Sequence, residues 1–299
     1  MISRRQVLGS PLLAAAQTPP PARTRFQLAC MTLPYSAFPL ERALTGIKAS
    51  GYDAVAWGTS HRDAANVNRP VMPVDAPAAQ AAALGKRCRG MGLEPVMMFS
   101  TVHLESPSAL DAHLRRIEQA AAAQIPFVLT FGKTAASDYP VFVENLRRMA
   151  PVAQQAGVMV LIKQHGGNTS SGQACARIVS EVNHPAVRIC YDAGNVLDYE
   201  NHDPIQDIVT CWRDIRAFNI KDHRNTPKDQ DCGPGFGEID HYKLFTPMLR
   251  TGLTIPLTFE NIFEPLVPRP AAPEGVDALA RRAREYIDSV LRGLATLGE

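Results

Sequence analysis

The chain has no strong excess of charge of one sign and no dense basic stretch. Its 31 Lys and Arg residues against 29 Asp and Glu residues give a formal net charge of +2 at pH 7. Outside the N-terminus, basic residues do not cluster with interleaved aromatic residues, which is the pattern that binds phosphate backbones. The composition therefore argues against a nucleic-acid partner and favours a small-molecule ligand.

The six cysteines, at positions 30, 88, 175, 190, 211 and 232, include no pair at the two-residue spacing of zinc or redox motifs. Cys30 and Cys190 lie inside apolar runs, where a free thiol behaves as a small hydrophobic side chain. The sequence therefore indicates structural cysteines, and it leaves any disulfide pairing open.

The first residues have the pattern of an export signal. Arg4 and Arg5 precede a short apolar stretch that ends at Ala14–Ala16, a small-residue cleavage site. This stretch is far shorter than the roughly 20 residues that a membrane helix needs, so no stable membrane span is expected. We predict that residues 1–23 are a twin-arginine signal with a Pro-rich linker and that residues 24–299 form the folded domain. The expected location is periplasmic or exported, or cytoplasmic if the signal is not used.

Short β-rich apolar runs alternate with helix-like segments along the rest of the chain. Eight strands are predicted, at Phe26–Met31, Ala54–Trp57, Pro95–Phe99, Phe127–Phe131, Val158–Ile162, Val187–Tyr191, Ile215–Ile220 and Ile255–Phe259. Strict alternation implies a parallel sheet, and the length is close to the roughly 250 residues of an eightfold barrel. We predict an α/β fold with a single (β/α)8 TIM barrel. An open doubly wound sheet would require a Gly-rich phosphate fingerprint that is missing after the first strand.

Polar side chains follow four of these runs at the point where each strand ends. They are Lys163 and His165, then Asp192, then Asn219, Lys221, Asp222 and His223, and finally Glu260 and Asn261. In a parallel barrel the carboxyl ends of all strands meet on one face, where the chemistry collects. We therefore expect these side chains to converge on one pocket.

Further residues are candidates for the walls of that pocket. Trp57 ends the second strand and His103 follows the third, so either would offer a ring to a sugar. For Trp57, packing in the barrel is an equal expectation. The segment 229–237 is a candidate lid. Arg269, between prolines, is expected either to meet an anionic substrate group or to lie in a surface connection.

The polar strand ends resemble those of the xylose isomerase-like TIM-barrel superfamily of sugar-phosphate isomerases and epimerases. The resemblance rests on the segments 157–167, 191–195, 219–222, 235–240 and 259–261 and spans nearly all of the folded part. It implies a sugar, polyol or keto-sugar substrate and proton transfer next to a carbonyl. The same barrel also carries endonucleases and dehydratases.

The resemblance also implies a divalent metal held by side chains after the fifth to eighth strands. Asp192 and Glu260 match the sixth- and eighth-strand ligands, whereas Lys163 stands where a Glu is expected and Asn219 where a His is expected. A lysine ammonium repels a cation, and an amide oxygen is a weaker ligand than imidazole. One interpretation is therefore that Lys163 replaces the metal between the two carboxylates.

The other interpretation keeps a metal and shifts its ligands. Manganese, magnesium or zinc would then be held by Asp192 and Glu260 together with His165, Asp222 or His223. The sequence leaves both interpretations open.

Our hypothesis from the sequence is a sugar isomerase or epimerase. In it Glu260 exchanges the proton, Lys163 stabilises the developing enediolate oxygen and His165 hydrogen-bonds a substrate hydroxyl. Residues expected to bind substrate are Asp192, Asn195, Asn219, Lys221, His223, Trp57 and His103. The alternatives are a carbohydrate-binding barrel without catalysis and an endonuclease-type phosphodiesterase, which would need several metals. A homo-oligomer is left open.

Overall fold

The computed structural model describes residues 22–132 and 135–296, which form a closed barrel of eight parallel strands. The strands are β1 (Arg25–Met31), β2 (Ala54–Trp57), β3 (Glu94–Phe99), β4 (Phe127–Thr130), β5 (Met159–Lys163), β6 (Val187–Asp192), β7 (Ile215–Ile220) and β8 (Thr254–Phe259). Each strand pairs with its neighbours in sequence, and β8 pairs with β1. The predicted single TIM barrel is confirmed, and each predicted strand overlaps one of the eight.

Helices fill the connections between the strands. They are α1 (Leu40–Ala49), α2 (Ala78–Gly90), α3 (Ala109–Ala122), α4 (Tyr139–Gln155), α5 (Gly172–Val182), α6 (Ala193–Glu200), α7 (Pro204–Asp207), α8 (His241–Phe245) and α9 (Pro273–Ala295). Two short antiparallel hairpins add to the loops after β2 and β7. In the described part of the chain no helix is both long and apolar enough to cross a membrane.

The strands are buried on both faces, which explains why they read as continuous apolar runs. One hydrophobic layer fills the barrel interior and includes Ala56, Leu161, Cys190 and Ala217. A second and larger layer lies between the strands and the helices. Because side chains alternate along a strand, every second residue belongs to the same layer.

This alternation decides which polar side chains point into the barrel mouth. Leu161, Cys190 and Ala217 face the interior, so the residues two positions later, Lys163, Asp192 and Asn219, face the same way. The register places Asp192 beside Asn219 and Asn219 beside Thr258. The strand geometry alone therefore brings polar groups together above the apolar interior.

The predicted signal and linker fall almost entirely outside the described residues. Within the described part, the carbonyl of Ala22 accepts a hydrogen bond from the Gly252 amide at 2.9 Å. Thr24 donates its amide to the Leu249 carbonyl at 3.0 Å, one residue before β1 begins.

Candidate active site at the barrel mouth

A lysine lies between two carboxylates at the centre of the mouth. Lys163 Nζ is 3.0 Å from Asp192 Oδ2, 2.8 Å from Glu260 Oε2 and 3.1 Å from Glu260 Oε1. The side chains of Lys163 and Asp192 are 3% and 0% exposed, while that of Glu260 is 15% exposed. Glu260 is therefore the member of this triad that a ligand can reach first.

The pKa values of Lys163 and Asp192 are shifted in the directions that keep both groups charged. Burial on its own would lower the pKa of Lys163, but the charges and hydrogen bonds of Glu260 and Asp192 outweigh burial, so that the pKa lies above the ordinary value for lysine. For Asp192, burial acts to raise the pKa, and Lys163 and Lys221 outweigh it, so that this pKa is lowered. Lys163 donates to both oxygens of Glu260 and forms an ion pair with Asp192 Oδ2, an atom that has no hydrogen-bond partner among the described residues. A role in which Lys163 gives and takes protons does not agree with this raised pKa.

Asn219 also turns a donor towards the centre. Its Nδ2 donates to Glu260 Oε2 at 2.7 Å, and its Oδ1 lies 2.8 Å from Thr258 Oγ1, which fixes the amide orientation. The two residues that depart from the metal-binding pattern, Lys163 and Asn219, thus both present N–H groups where a cation would need lone pairs. These residues do not fit a divalent metal between Asp192 and Glu260.

Asp192 is fixed by the segment around it. Its Oδ1 accepts the Asn195 amide at 3.0 Å and so caps the N-terminus of α6. Its own amide donates to Gln164 Oε1 at 2.9 Å, and Asn195 Nδ2 donates to the Gln164 carbonyl at 2.6 Å. Asp192 and Asn195 therefore hold the loop after β5 against α6, and both are almost fully buried.

A second charged cluster lies beside the triad, on the hairpin after β7 formed by Asp222–Arg224 and Gln230–Cys232. Lys221 Nζ donates to Asp231 Oδ2 at 2.6 Å, and His223 Nδ1 lies 3.1 Å from Asp231 Oδ1. Asp231 is 34% exposed, so this cluster, unlike the triad, is open to solvent.

The shifted ligand set considered from the sequence is not assembled. Asp222 accepts the backbone amides of His223, Gly235 and Ile239 and is fully buried, so its carboxylate holds the loop together. His223 is oriented instead towards Asp198 and Asp229, and one ligand atom from each of these three residues lies within 4.8 Å of the other two. Asp229 is 73% exposed, and exposed acidic groups are common without a metal.

An aromatic wall borders the mouth beside β4 and β5. The His165 ring stacks on Phe131 with centroids 4.3 Å apart, and His103 meets Phe131 edge-on at 5.1 Å. The Tyr199 hydroxyl lies 3.5 Å from His165 Nε2. Burial and the neighbouring Lys163 charge lower the pKa of His165 to about 4, so the ring is neutral at pH 7.

Trp57 lies apart from this group. It is 1% exposed and belongs to the layer between strands and helices, which also contains Cys88 of α2. In β2 the interior positions are Ala54 and Ala56, so alternation turns Trp57 outwards. The pocket role considered for Trp57 is therefore replaced by a packing role.

A cavity of about 220 Å³ opens above the triad. Its lining includes Glu260, Lys221, Asp231, Phe263 and Arg269. The guanidinium carbon of Arg269 lies 4.4 Å from the centroid of the Phe263 ring. Glu260 thus faces a space large enough for a small ligand, and the cationic Arg269 borders the same space.

The structure brings nearly all sequence-based candidates to one face. Lys163, Asp192, Asn195, Asn219 and Glu260 form one connected network, with Lys221, His223, His165 and His103 around it. Sequence reasoning assigned no role to Gln164, Thr258, Asp231, Phe131 or Tyr199. Alternation would have indicated Thr258, two residues before Glu260, and Asp231 lies in the predicted lid.

Comparisons with known proteins agree with the fold. A structure of a xylose isomerase domain protein from Planctomyces limnophilus is 18% identical, with a TM-score of 0.68 over 93% of this chain and 100% of that one. An L-ribulose 3-epimerase is 16% identical, with a TM-score of 0.68 over 93% and 98% of the two chains. A xylose isomerase-like TIM-barrel protein from Mycobacterium smegmatis, in complex with magnesium, is 14% identical, with a TM-score of 0.66 over 92% and 97%.

At these identities the solved structures establish the fold alone. Among curated protein sequences, none matches this chain. The family model for the xylose isomerase-like TIM barrel matches residues 44–283, which is most of the chain. The chain belongs to the xylose isomerase-like TIM-barrel family.

Proposed function

We propose that this protein is a sugar isomerase or epimerase that transfers a proton next to a carbonyl, with an ammonium at the centre of its site in place of a metal. The observation that carries the proposal is the position of Lys163, 2.8–3.1 Å from the carboxylates of Asp192 and Glu260. Similarity to structures of L-ribulose 3-epimerase and D-psicose 3-epimerase supports the choice of reaction class.

Glu260 is the proton-exchanging group in this proposal. Its carboxylate borders the cavity, and its two oxygens accept different numbers of hydrogen bonds. Oε2 accepts from both Lys163 and Asn219, whereas Lys163, at the longer distance of 3.1 Å, is the only donor to Oε1 among the described residues. Oε1 therefore keeps lone-pair capacity to remove a proton from the carbon next to the carbonyl.

Loss of that proton leaves an enediolate oxygen that needs a positive partner. Lys163 can supply it if the substrate oxygen replaces the 3.1 Å contact to Glu260 Oε1, which weakens as that oxygen takes up the proton. Return of the proton to a carbon then gives the product. Asp192, with no exposed surface, keeps Lys163 charged and in place, so we assign it a positioning role.

Groups around the triad would bind the substrate hydroxyls. Lys221 uses one of its three N–H groups on Asp231 and borders the cavity. His165 is neutral, so its ring can both donate and accept a hydrogen bond beside the aromatic wall. We also propose export through the twin-arginine route. An exported enzyme would more often meet sugars that have not been phosphorylated in the cytosol.

A carbohydrate-binding barrel without catalysis is the second candidate. The observation in its favour is that Lys163 already has two carboxylate partners, so the charge of the lysine is paired without a substrate. A phosphodiesterase is less well supported, because its cluster of metals would have to form where Lys163 and Asn219 present donors.

The decisive experiment follows solvent deuterium into the carbon next to the carbonyl by NMR, across a panel of aldoses, ketoses and keto-sugars. The wild-type protein should exchange that hydrogen with at least one sugar. Glu260→Gln should reduce the rate by about 10²–10⁴-fold, the usual contribution of a general acid or base. Glu264→Gln, an exposed neighbour on the same loop, is the matched control and should keep full activity.

Circular dichroism must show that Glu260→Gln keeps its fold. Full exchange by this variant would remove Glu260 from the mechanism. Tight sugar binding without any exchange in the wild type would select the binding barrel instead.

A further inference from the structure

Among the described residues, one of the two cations that line the cavity has no ion-pair partner. Glu260 is paired with Lys163, and Asp231 is paired with Lys221. Arg269 is exposed, and within residues 22–132 and 135–296 it has no carboxylate partner within salt-bridge distance. The cavity therefore presents one guanidinium that makes no direct ion pair with the described residues.

The stacking of Arg269 on Phe263 leaves its hydrogen-bond donors available. The guanidinium carbon lies 4.4 Å from the ring centroid, which is a cation–π contact. A guanidinium has five N–H donors, and those of Arg269 form no hydrogen bond or ion pair with the described residues. Arg269 thus keeps the planar fork that matches a carboxylate or a phosphate in a bidentate pair.

The loop that carries Arg269 is held in place before any ligand arrives. The Phe263 amide donates to Asn261 Oδ1 at 3.0 Å, and its carbonyl accepts from the Gly233 amide at 2.7 Å. Pro268 and Pro270 flank Arg269 and fix their own φ angles. Binding through Arg269 therefore requires little ordering of the backbone, which lowers the entropic cost of recognition.

We propose that Arg269 is a specificity-determining residue that binds an anionic group, a carboxylate or a phosphate, at one end of the sugar. The proposal deepens the proposed function, because the carbonyl end would then face Glu260 across the same cavity. The cavity volume of about 220 Å³ limits the ligand to roughly a single sugar unit. The substrate class is accordingly a sugar acid or a sugar phosphate.

The test is isothermal titration calorimetry on the full chain at fixed ionic strength. The ligands are neutral monosaccharides, each with its uronate, its aldonate and its phosphate ester, in several configurations. At least one anionic ligand should bind ten-fold or more tightly than its neutral counterpart. A preference for the carboxylate would identify a sugar acid, and a preference for the phosphate would identify a sugar phosphate.

Variants of Arg269 separate recognition from general electrostatics. Arg269→Gln should lower the affinity for the anionic ligand to that of its neutral counterpart. Arg269→Lys should recover part of this difference in affinity, because lysine keeps the charge and lacks the planar fork of the guanidinium. Arg213→Gln is the matched control, since Arg213 is also exposed and stacks on Trp212 at 4.5 Å. It should change nothing.

Equal affinity for anionic and neutral ligands, or an anion preference that survives Arg269→Gln, would overturn the proposal. The outcome is distinct from that for the proposed function. Anion binding through Arg269 without deuterium exchange would keep the subsite and reject the enzyme. Exchange with neutral sugars at unchanged kcat and KM in Arg269→Gln would keep the enzyme and reject the subsite.

Discussion

Two lysines at the carboxyl ends of β5 and β7, the strands on either side of β6, have opposite surroundings. Lys163, at the end of β5, is enclosed by three oxygens of two carboxylates, one of which is fully buried. Lys221, directly after β7, has one acceptor, on Asp231, which is 34% exposed. Both ammonium groups are nearly buried, at 3% and 7% exposure. The difference therefore lies in the partners and not in the depth of the lysine.

The two lysines show the difference between a charge that buried partners hold in place and a charge that is available to a ligand. A buried cation held between two carboxylates is costly to remove, because one of them, Asp192, is then left as a charge that water cannot reach. A cation beside an exposed partner keeps donors for a ligand, and its partner can be solvated when the pair breaks. In the proposed mechanism Lys163 therefore sets the electrostatics of the site, and Lys221 binds the substrate.

The largest effect is expected from removing the charge of the enclosed lysine. Lys163→Met should lower the free energy of unfolding by about 3–5 kcal/mol, because Asp192 is left as an uncompensated buried carboxylate. The measurement is urea denaturation followed by circular dichroism. Lys221→Met is the matched control and should cost about 1 kcal/mol, because Asp231 can turn to solvent. Equal losses of unfolding free energy in the two variants would contradict the proposed difference between Lys163 and Lys221.

A smaller effect is expected in the pH dependence of stability. Asp192 has a lowered pKa, so its contribution is present above about pH 4 and is lost only as the pH falls further. Lys163 has a raised pKa, so its contribution is present below about pH 10 and is lost at higher pH. Between these limits Asp192 and Lys163 should contribute no slope.

His165 should contribute a slope inside that window. Its pKa is lowered to about 4, so below about pH 6.5 the unfolded chain binds a proton that the folded chain does not, and stability falls with falling pH. His165→Gln should reduce the slope between pH 6.5 and 4 by less than about 1.4 kcal/mol per pH unit, because the ring is partly exposed. His202→Gln, at an exposed position, is the control. An unchanged slope in His165→Gln would show that the ring charges freely.

The sequence predicts the fold and much of the site because both follow from local patterns. Apolar runs mark the strands, and the polar residues after Ile162, Tyr191, Phe218 and Phe259 mark the mouth. The sequence cannot predict which carboxylate pairs with which lysine. Lys163 and Lys221 both follow a strand in the sequence, and only the folded structure shows that they contact different carboxylates. Trp57 shows a different limit, because the position of a residue at a strand end does not reveal its face unless alternation is counted.

The central claim is that an ammonium takes the place of the family's metal between Asp192 and Glu260. The most direct measurement titrates Mn²⁺ into the wild-type protein and the Glu260→Gln variant and follows bound metal by electron paramagnetic resonance. We expect the two titrations to be identical, because Lys163 and Asn219 present donors at that position. One equivalent of tightly bound Mn²⁺ in the wild type that Glu260→Gln abolishes would contradict the account.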